Sequence, residues 1–323
     1  MKRSFTHIAV SAAIGLCLFG AAKADAQALA RLRALRAQRA DNAVPAGTTA
    51  HKIEVAGTSR DYLVLDGANG RPGAPLLIVL HGGGGSASTM VGRWADKAKR
   101  EGIVVAFPNG VGRNGRMGTW NAGGCCGYAM TSQSKDVEFI GALIDEVERA
   151  QRTDPKRIYV AGMSNGGMMT HRIAIALGNR LAGAGVVAGA LFGDEPQARA
   201  PVPMLIMHGV KDEVVPYRGG PSTLGFVAQS QSKPFEGVRY AVDFWRQANG
   251  CGASPATSTS GDVTIERFSN CKGADLSFYS LASANHTWPG GGATGSPLLE
   301  RFRYDQINAT DVLWDFLSKH VRK

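Results

Sequence analysis

Short apolar runs alternate along the chain with stretches of helical spacing. Leu77-Ile78-Val79-Leu80 and Met204-Leu205-Ile206-Met207 are unbroken apolar runs of strand length, the pattern of strands covered on both faces. Strands are predicted over 51–56, 61–66, 76–81, 103–107, 157–162, 185–189, 203–208, 263–268 and 276–281. Helices are predicted over 88–101, 137–150, 165–177, 235–249 and 304–320. After an opening antiparallel pair the order becomes strand, helix, strand, helix. That order predicts an α/β fold, a mostly parallel central sheet with helices on both faces. In such sheets the reactive groups gather beyond the carboxyl ends of the strands.

The same pattern sets the domain limits. Lys2 and Arg3 precede an apolar run from Ile8 to Ala22, and Ala24-Asp25-Ala26 offers a small-x-small cleavage site. Residues 1–26 therefore read as a secretory signal peptide, with an apolar core too short for a membrane span, and a secreted location, extracellular or periplasmic, is expected. Residues 27–45 alternate Arg31, Arg33, Arg36 and Arg39 with leucines and alanines and read as a basic N-terminal arm. Residues 46–323 have the length of one catalytic domain, and a hydrophobic content of 44% supports an ordinary core. The formal charge of +10 falls to +8 when Lys2, Arg3, Lys23 and Asp25 are removed, and much of the rest lies in the arm. The charge thus gives no nucleic-acid footprint, and no protein partner is implied.

The stretch 157–177 organises the chemistry. A buried strand, Ile158-Tyr159-Val160-Ala161, runs through Gly162-Met163-Ser164-Asn165-Gly166 into a helix. A serine pushed out at a sharp strand-to-helix turn is strained, and the flanking segments approach too closely for side chains, so glycine belongs at 162 and 166. Ser164 is the candidate nucleophile. The strand ending at Leu80 runs into His81-Gly82-Gly83-Gly84-Gly85, where main-chain amides can approach a ligand. Gly83 and Asn165 are assigned to an oxyanion hole. The strand 203–208 is followed by Asp212, the candidate acid, with Glu213 as its competitor. Only His286 and His320 lie downstream of the acid, and His286 sits in a loop just past the last predicted strand. The order Ser, Asp, His then names His286 as the base. His81 and His208 each cap a strand before a glycine, where a ring nitrogen can tie down loop backbone.

Four cysteines remain after the leader: Cys125, Cys126, Cys251 and Cys271. An even number in an oxidising compartment predicts disulfides, and Cys251 with Cys271 is favoured because the two bound one small module. Cys125 and Cys126 either close on each other or remain buried thiols. No H-E-x-x-H or spaced Cys/His cluster points to a metal, and no cofactor is called for. The loop 109–135 and the loop 215–233 flank the expected site, and Trp120, Tyr217 and Trp288 are candidate walls of a substrate pocket or else core aromatics. Asp136 reads as an N-cap for the helix that follows.

Together, Gly162-Met163-Ser164-Asn165-Gly166-Gly167-Met168-Met169, the His-Gly start of the glycine loop, Trp120-Asn121 with Cys125-Cys126-Gly127, His208-Gly209 with Asp212 and Val215-Pro216-Tyr217, and His286-Thr287-Trp288-Pro289-Gly290 resemble the secreted polyhydroxybutyrate-depolymerase-like esterases. That group is similar to the feruloyl and acetylxylan esterases of carbohydrate esterase family 1. The resemblance implies an α/β-hydrolase with Ser164, Asp212 and His286 as a triad and no cofactor. It implies a secreted serine carboxylic-ester hydrolase acting through an acyl-enzyme on feruloyl or acetyl esters or short hydroxyalkanoate oligomers. A depolymerase on insoluble polyester, a peptidase, and a noncatalytic secreted binding protein on a hydrolase scaffold are the alternatives.

Overall fold

The computed structural model describes residues 44–115, 117–291 and 303–322. The leader 1–26 and nearly all of the arm 27–45 lie outside the described residues. Residues 45–323 form one compact unit. Its elements run β1 (Thr49–Val55), β2 (Thr58–Asp66), β3 (Leu76–Leu80), α1 (Ser88–Glu101), β4 (Val104–Pro108), α2 (Gly127–Thr131), α3 (Asp136–Gln151), β5 (Ile158–Met163), α4 (Asn165–Leu177), β6 (Gly183–Val187), β7 (Met204–Gly209), α5 (Gly225–Ala228), α6 (Val238–Ala248), β8 (Ala256–Ser260), β9 (Val263–Phe268), β10 (Leu276–Leu281) and α7 (Ala309–Leu317).

The described strands make one sheet in the order β1-β2-β4-β3-β5-β6-β7-β10-β9-β8. From β4 to β10 neighbouring strands are parallel, and antiparallel pairs close both edges. The unbroken apolar runs occupy the middle, as full burial of β3, β4, β6 and β7 requires. Side chains alternate between the two faces. Leu76, Ile78, Leu80, Val160, Met204 and Ile206 join one core with residues of α3, α4 and α6. Leu77, Val79, Val105, Tyr159, Leu205 and Met207 join the other with residues of α1 and α7. Each fully buried large side chain contributes about 2 kcal/mol of transfer free energy, so both layers are needed to hold the sheet flanked.

After β3 the chain moves to β4 on one side, then returns to β5 on the other. The order reverses there, which opens a crevice beyond the carboxyl ends of β3 and β5. The glycine loop and Ser164 flank that crevice.

Several elements differ from the sequence reading: the short helices α2 and α5 are not among those predicted, β2 begins three residues earlier and α6 three residues later than predicted, and β8, β6 and the terminal helix differ as well. Strand β8 has every residue exposed, and its Ala-Thr-Ser-Thr-Ser sequence carries no apolar alternation. Strand β6 begins two residues earlier than predicted, because Gly183-Ala184-Gly185 lacks β-branched signal but must pack tightly; a Cβ on Gly183 would lie 2.9 Å from Leu317. The terminal helix is confined to 309–317. Among the described residues no helix is long and apolar enough to cross a membrane.

Candidate active site

Ser164 stands between β5 and α4 with φ 56° and ψ −126°, a positive φ that a serine adopts only under constraint. The turn is locked from both sides: the Ser164 amide donates to the Val187 carbonyl at 2.9 Å, and its carbonyl accepts from Met168 N at 2.9 Å. The two elbow glycines are sterically required. A Cβ on Gly162 would lie 2.5 Å from the Gly166 carbonyl carbon, and one on Gly166 would lie 2.6 Å from the Leu80 carbonyl oxygen. The glycine loop passes directly over Ser164. A Cβ built on Gly82 would be 3.5 Å from Ser164 Cβ, and one on Gly83 would be 3.5 Å from Asn165 Cβ. Within the loop, Gly84 N donates to Gly118 O and Gly85 N to Gly82 O. The amides of Gly83 and Asn165 donate to no backbone carbonyl among the bonds that tie down this loop and turn.

His81 holds this loop in place. Its Nε2 accepts from Gly110 N at 2.9 Å, so Nδ1 carries the proton and donates to Gly82 O at 2.8 Å. Burial lowers the His81 pKa from 6.5 to about 4, against the opposing pull of the Gly82 carbonyl and of Asp136. The ring is neutral and its tautomer fixed.

Asp212 follows β7 and His286 follows β10, neighbouring parallel strands with Gly209 opposite Leu281. His286 Nδ1 donates to Asp212 Oδ2 at 2.8 Å, leaving Nε2 for a second partner. The other oxygen, Oδ1, accepts from Val214 N and Val215 N, both at 2.9 Å. His208 Nε2 donates to Val215 O at 2.9 Å and lies 3.4 Å from Asp212 Oδ2. Burial alone would raise the Asp212 pKa, but the charge of His286 and hydrogen bonds from His208 and His286 outweigh it and hold the carboxyl well below the usual range. Glu213 is exposed and makes no such contact with His286.

The three aromatic candidates for pocket wall or core are buried to different degrees. Trp120 is fully buried beneath the glycine loop, its Nε1 donating to His81 O at 2.9 Å. Trp288 is 3% exposed, packed edge-on to Trp94 at 6.3 Å between ring centres, with Nε1 on Thr310 Oγ1. Both rings pack against other aromatic rings, Trp120 against His81 and Trp288 against Trp94. Tyr217 is half-buried beside His208, and its hydroxyl meets Ser280 Oγ at 3.1 Å.

Asp136 is placed differently from the N-cap expected of it. The cap position of α3 belongs to Lys135 and has no side-chain cap bond, while Asp136 is buried and paired with Arg60 on β2 at 2.7 Å. The sequence signal for this partner was absent because the two residues lie 76 positions apart. The sulfurs of Cys251 and Cys271 lie 2.04 Å apart, and Cys125 pairs with Cys126 across a cis peptide bond. Among the described residues no group of three or more His, Cys, Asp or Glu side chains could hold a metal ion.

A parallel sheet with a serine at a strained strand-to-helix turn, a glycine loop passing over it, and a carboxylate-anchored histidine three strands away is the architecture of the α/β-hydrolases. Residues 67–240 match the phospholipase/carboxylesterase family, and the chain belongs to it, among the carboxylic-ester hydrolases. The chain is 31% identical over 294 residues to the Nocardia uniformis subsp. tsuyamanensis protein named "Putative esterase NocK", covering 84% of this chain and 83% of that one. It is 36% identical over 215 residues to feruloyl esterase B of Piromyces equi, covering 64% of this chain and 38% of that one. Over 127 residues it is 32% identical to a poly(3-hydroxybutyrate) depolymerase of Ralstonia pickettii, covering 35% of this chain and 25% of that one. The fold is similar to that of an acetyl xylan esterase from Aspergillus awamori, with a TM-score of 0.56 at 14% identity over 79% of this chain and 98% of that one.

Proposed function

We propose that this chain is a secreted serine esterase that works through an acyl-enzyme, with Ser164 as nucleophile, His286 as base and Asp212 as the acid that orients it. The observation that carries this reading is the strained Ser164 turn lying under the Gly82-Gly83 segment, with the Asp212–His286 pair at 2.8 Å on neighbouring strands. His286 Nε2 takes the Ser164 proton while Oγ attacks the ester carbonyl carbon. The carbonyl oxygen takes up negative charge, and the Gly83 and Asn165 amides and the start of α4 stabilise it. Collapse returns the proton from His286 to the departing alcohol and leaves the acyl group on Ser164. Water, deprotonated by His286, then attacks the acyl-enzyme and releases the acid and free serine. Asp212 stays ionised throughout, holding the Nδ1–H tautomer.

The proposed substrates are feruloyl- or acetyl-type esters or short hydroxyalkanoate oligomers, in keeping with relatives named for feruloyl esterase and poly(3-hydroxybutyrate) depolymerase. The N-terminal apolar run and the paired cysteines support secretion. The test is hydrolysis of p-nitrophenyl acetate and butyrate, methyl ferulate and a hydroxybutyrate oligomer by the mature chain beside Ser164→Ala. Turnover that vanishes in Ser164→Ala while the fold persists supports the reading. Wild-type turnover that survives the substitution overturns it. A chain that hydrolyses none of the four returns the noncatalytic binding protein.

A further inference from the structure

The proposed mechanism uses the Asn165 main-chain amide and leaves its side chain without a task. That side chain is 1% exposed and forms two opposed hydrogen bonds with a single residue: Oδ1 accepts from Trp120 N at 2.7 Å, and Nδ2 donates to Trp120 O at 3.0 Å. The first peptide of α4 is therefore tied to residue 120. Trp120 also reaches the other amide-bearing segment, because its indole nitrogen donates to the carbonyl of His81, two residues before Gly83. Residue 120 thus touches both sides of the oxyanion hole, yet it lies in a loop with no helix or strand of its own.

The next residue explains what holds that loop. Asn121 N donates to Asp136 Oδ2 at 2.8 Å. Asp136 Oδ1 accepts from Arg60 Nη2 at 2.7 Å and from Ser134 Oγ at 2.9 Å, so the buried carboxylate has three donors. Arg60 is anchored in turn: Nη2 donates to Asn109 O at 3.1 Å, and its guanidinium stacks over Phe139 at 4.0 Å. The ion pair thus transmits the fixed positions of β2 and α3 to residues 120–121. Oxyanion donors act only when held close to where the charge develops, so displacement of either amide by a fraction of an ångström weakens the transition state more than the bound ester.

We infer that Asp136, braced by Arg60, is a positioning residue for the oxyanion hole, acting through Asn121 and Trp120 on the Asn165 amide. The inference rests on the esterase reading above and assigns Asp136 a part in catalysis beyond anchoring a loop. Asp136→Asn keeps the shape and one acceptor but removes the charge and turns an NH2 toward Arg60 or Asn121. With p-nitrophenyl butyrate, well below the unfolding midpoint, kcat is expected to fall about tenfold or more while KM stays within about twofold. Asn165→Ala keeps the main-chain donor and loses the clamp, and it should show the same split. Because both act through one clamp, the double variant should be no slower than the slower single variant. Ser134→Ala, which removes one donor and spares the ion pair, serves if Asp136→Asn does not fold; a fall in kcat of about two- to fivefold at constant KM is expected.

An active wild type with kcat unchanged in Asp136→Asn or Ser134→Ala, only the unfolding midpoint moving, overturns the inference and leaves the esterase reading intact. Strictly multiplicative losses in the double variant overturn it as well. A wild type inactive on every ester sinks the esterase reading and this inference with it.

Discussion

The two halves of the site are built by different means. On the Ser164 side, backbone lies against backbone: the turn is set by β3 and β5, with Leu80 opposite Gly162, and at Gly162 and Gly166 there is no room for an added carbon. On the Asp212–His286 side, side chains meet across loops, and Asp212 is held by two main-chain amides and two histidines. The first half is a steric construction and the second an electrostatic one. They should therefore fail differently, the first by loss of fold and the second by loss of rate or by a change of pH.

Asp212→Asn tests the electrostatic half and should have the largest effect. An asparagine keeps the volume but no longer holds the Nδ1–H tautomer of His286, so kcat/KM should fall about ten-thousandfold while circular dichroism is unchanged. Gly166→Ala tests the steric half. A methyl 2.6 Å from the Leu80 carbonyl forces β3 and α4 apart, and a stability loss of about 3 kcal/mol or more is expected from urea unfolding, with soluble yield falling alongside. If Gly166→Ala folded normally and lost only rate, the contrast between the halves would break.

Acidification comes next. His81 has a pKa of about 4 in the fold against 6.5 when exposed, so the unfolded chain takes up the proton first. The stability from the neutral ring is complete above pH 6.5 and is lost as pH falls through that window towards 4, about 3 kcal/mol by the size of the shift. His171, fully buried and lowered to about 3 by burial with a contribution from His208, acts in the same direction. Asp212, depressed, adds stability that is present above its ordinary 3.8 and disappears only at lower pH. Urea midpoints measured from pH 7 to 4 should fall steadily, and a flat profile would contradict the buried neutral histidines. Phe226, 68% exposed on α5, belongs to neither half; Phe226→Ser should shift stability by no more than about 0.5 kcal/mol in the same assay.

The contrast also explains what could be read from the sequence. Glycine spacing around Ser164 is legible because only glycine satisfies that geometry, and the parallel sheet is legible because β3 and β7 are apolar throughout. Chain order together with position at the strand ends is what selects Asp212 and His286 as candidates, and the structure places their side chains 2.8 Å apart. Burial of a loop aromatic is another matter. Trp120 and Trp288 stand in loops that border the expected site, and nothing local distinguishes a ring facing a crevice from one facing Trp94 or His81. Asp136 at the start of α3 has the local pattern of a cap, whereas its role depends on Arg60, a distant residue whose strand pairing no local window contains. Strand β8 exists because β9 offers an edge, and its own sequence has no apolar face to announce it.

The central claim is that Ser164 is the nucleophile of an ester hydrolase. The most direct measurement treats the mature chain with a p-nitrophenyl phosphonate, follows loss of p-nitrophenyl butyrate hydrolysis, and maps the adduct by mass spectrometry. The account predicts one phosphonyl group per chain, on the peptide containing Ser164, with labelling and loss of activity rising together and neither occurring in Ser164→Ala. Full hydrolysis in a fully labelled chain, or inactivation with the adduct on another residue, would contradict it.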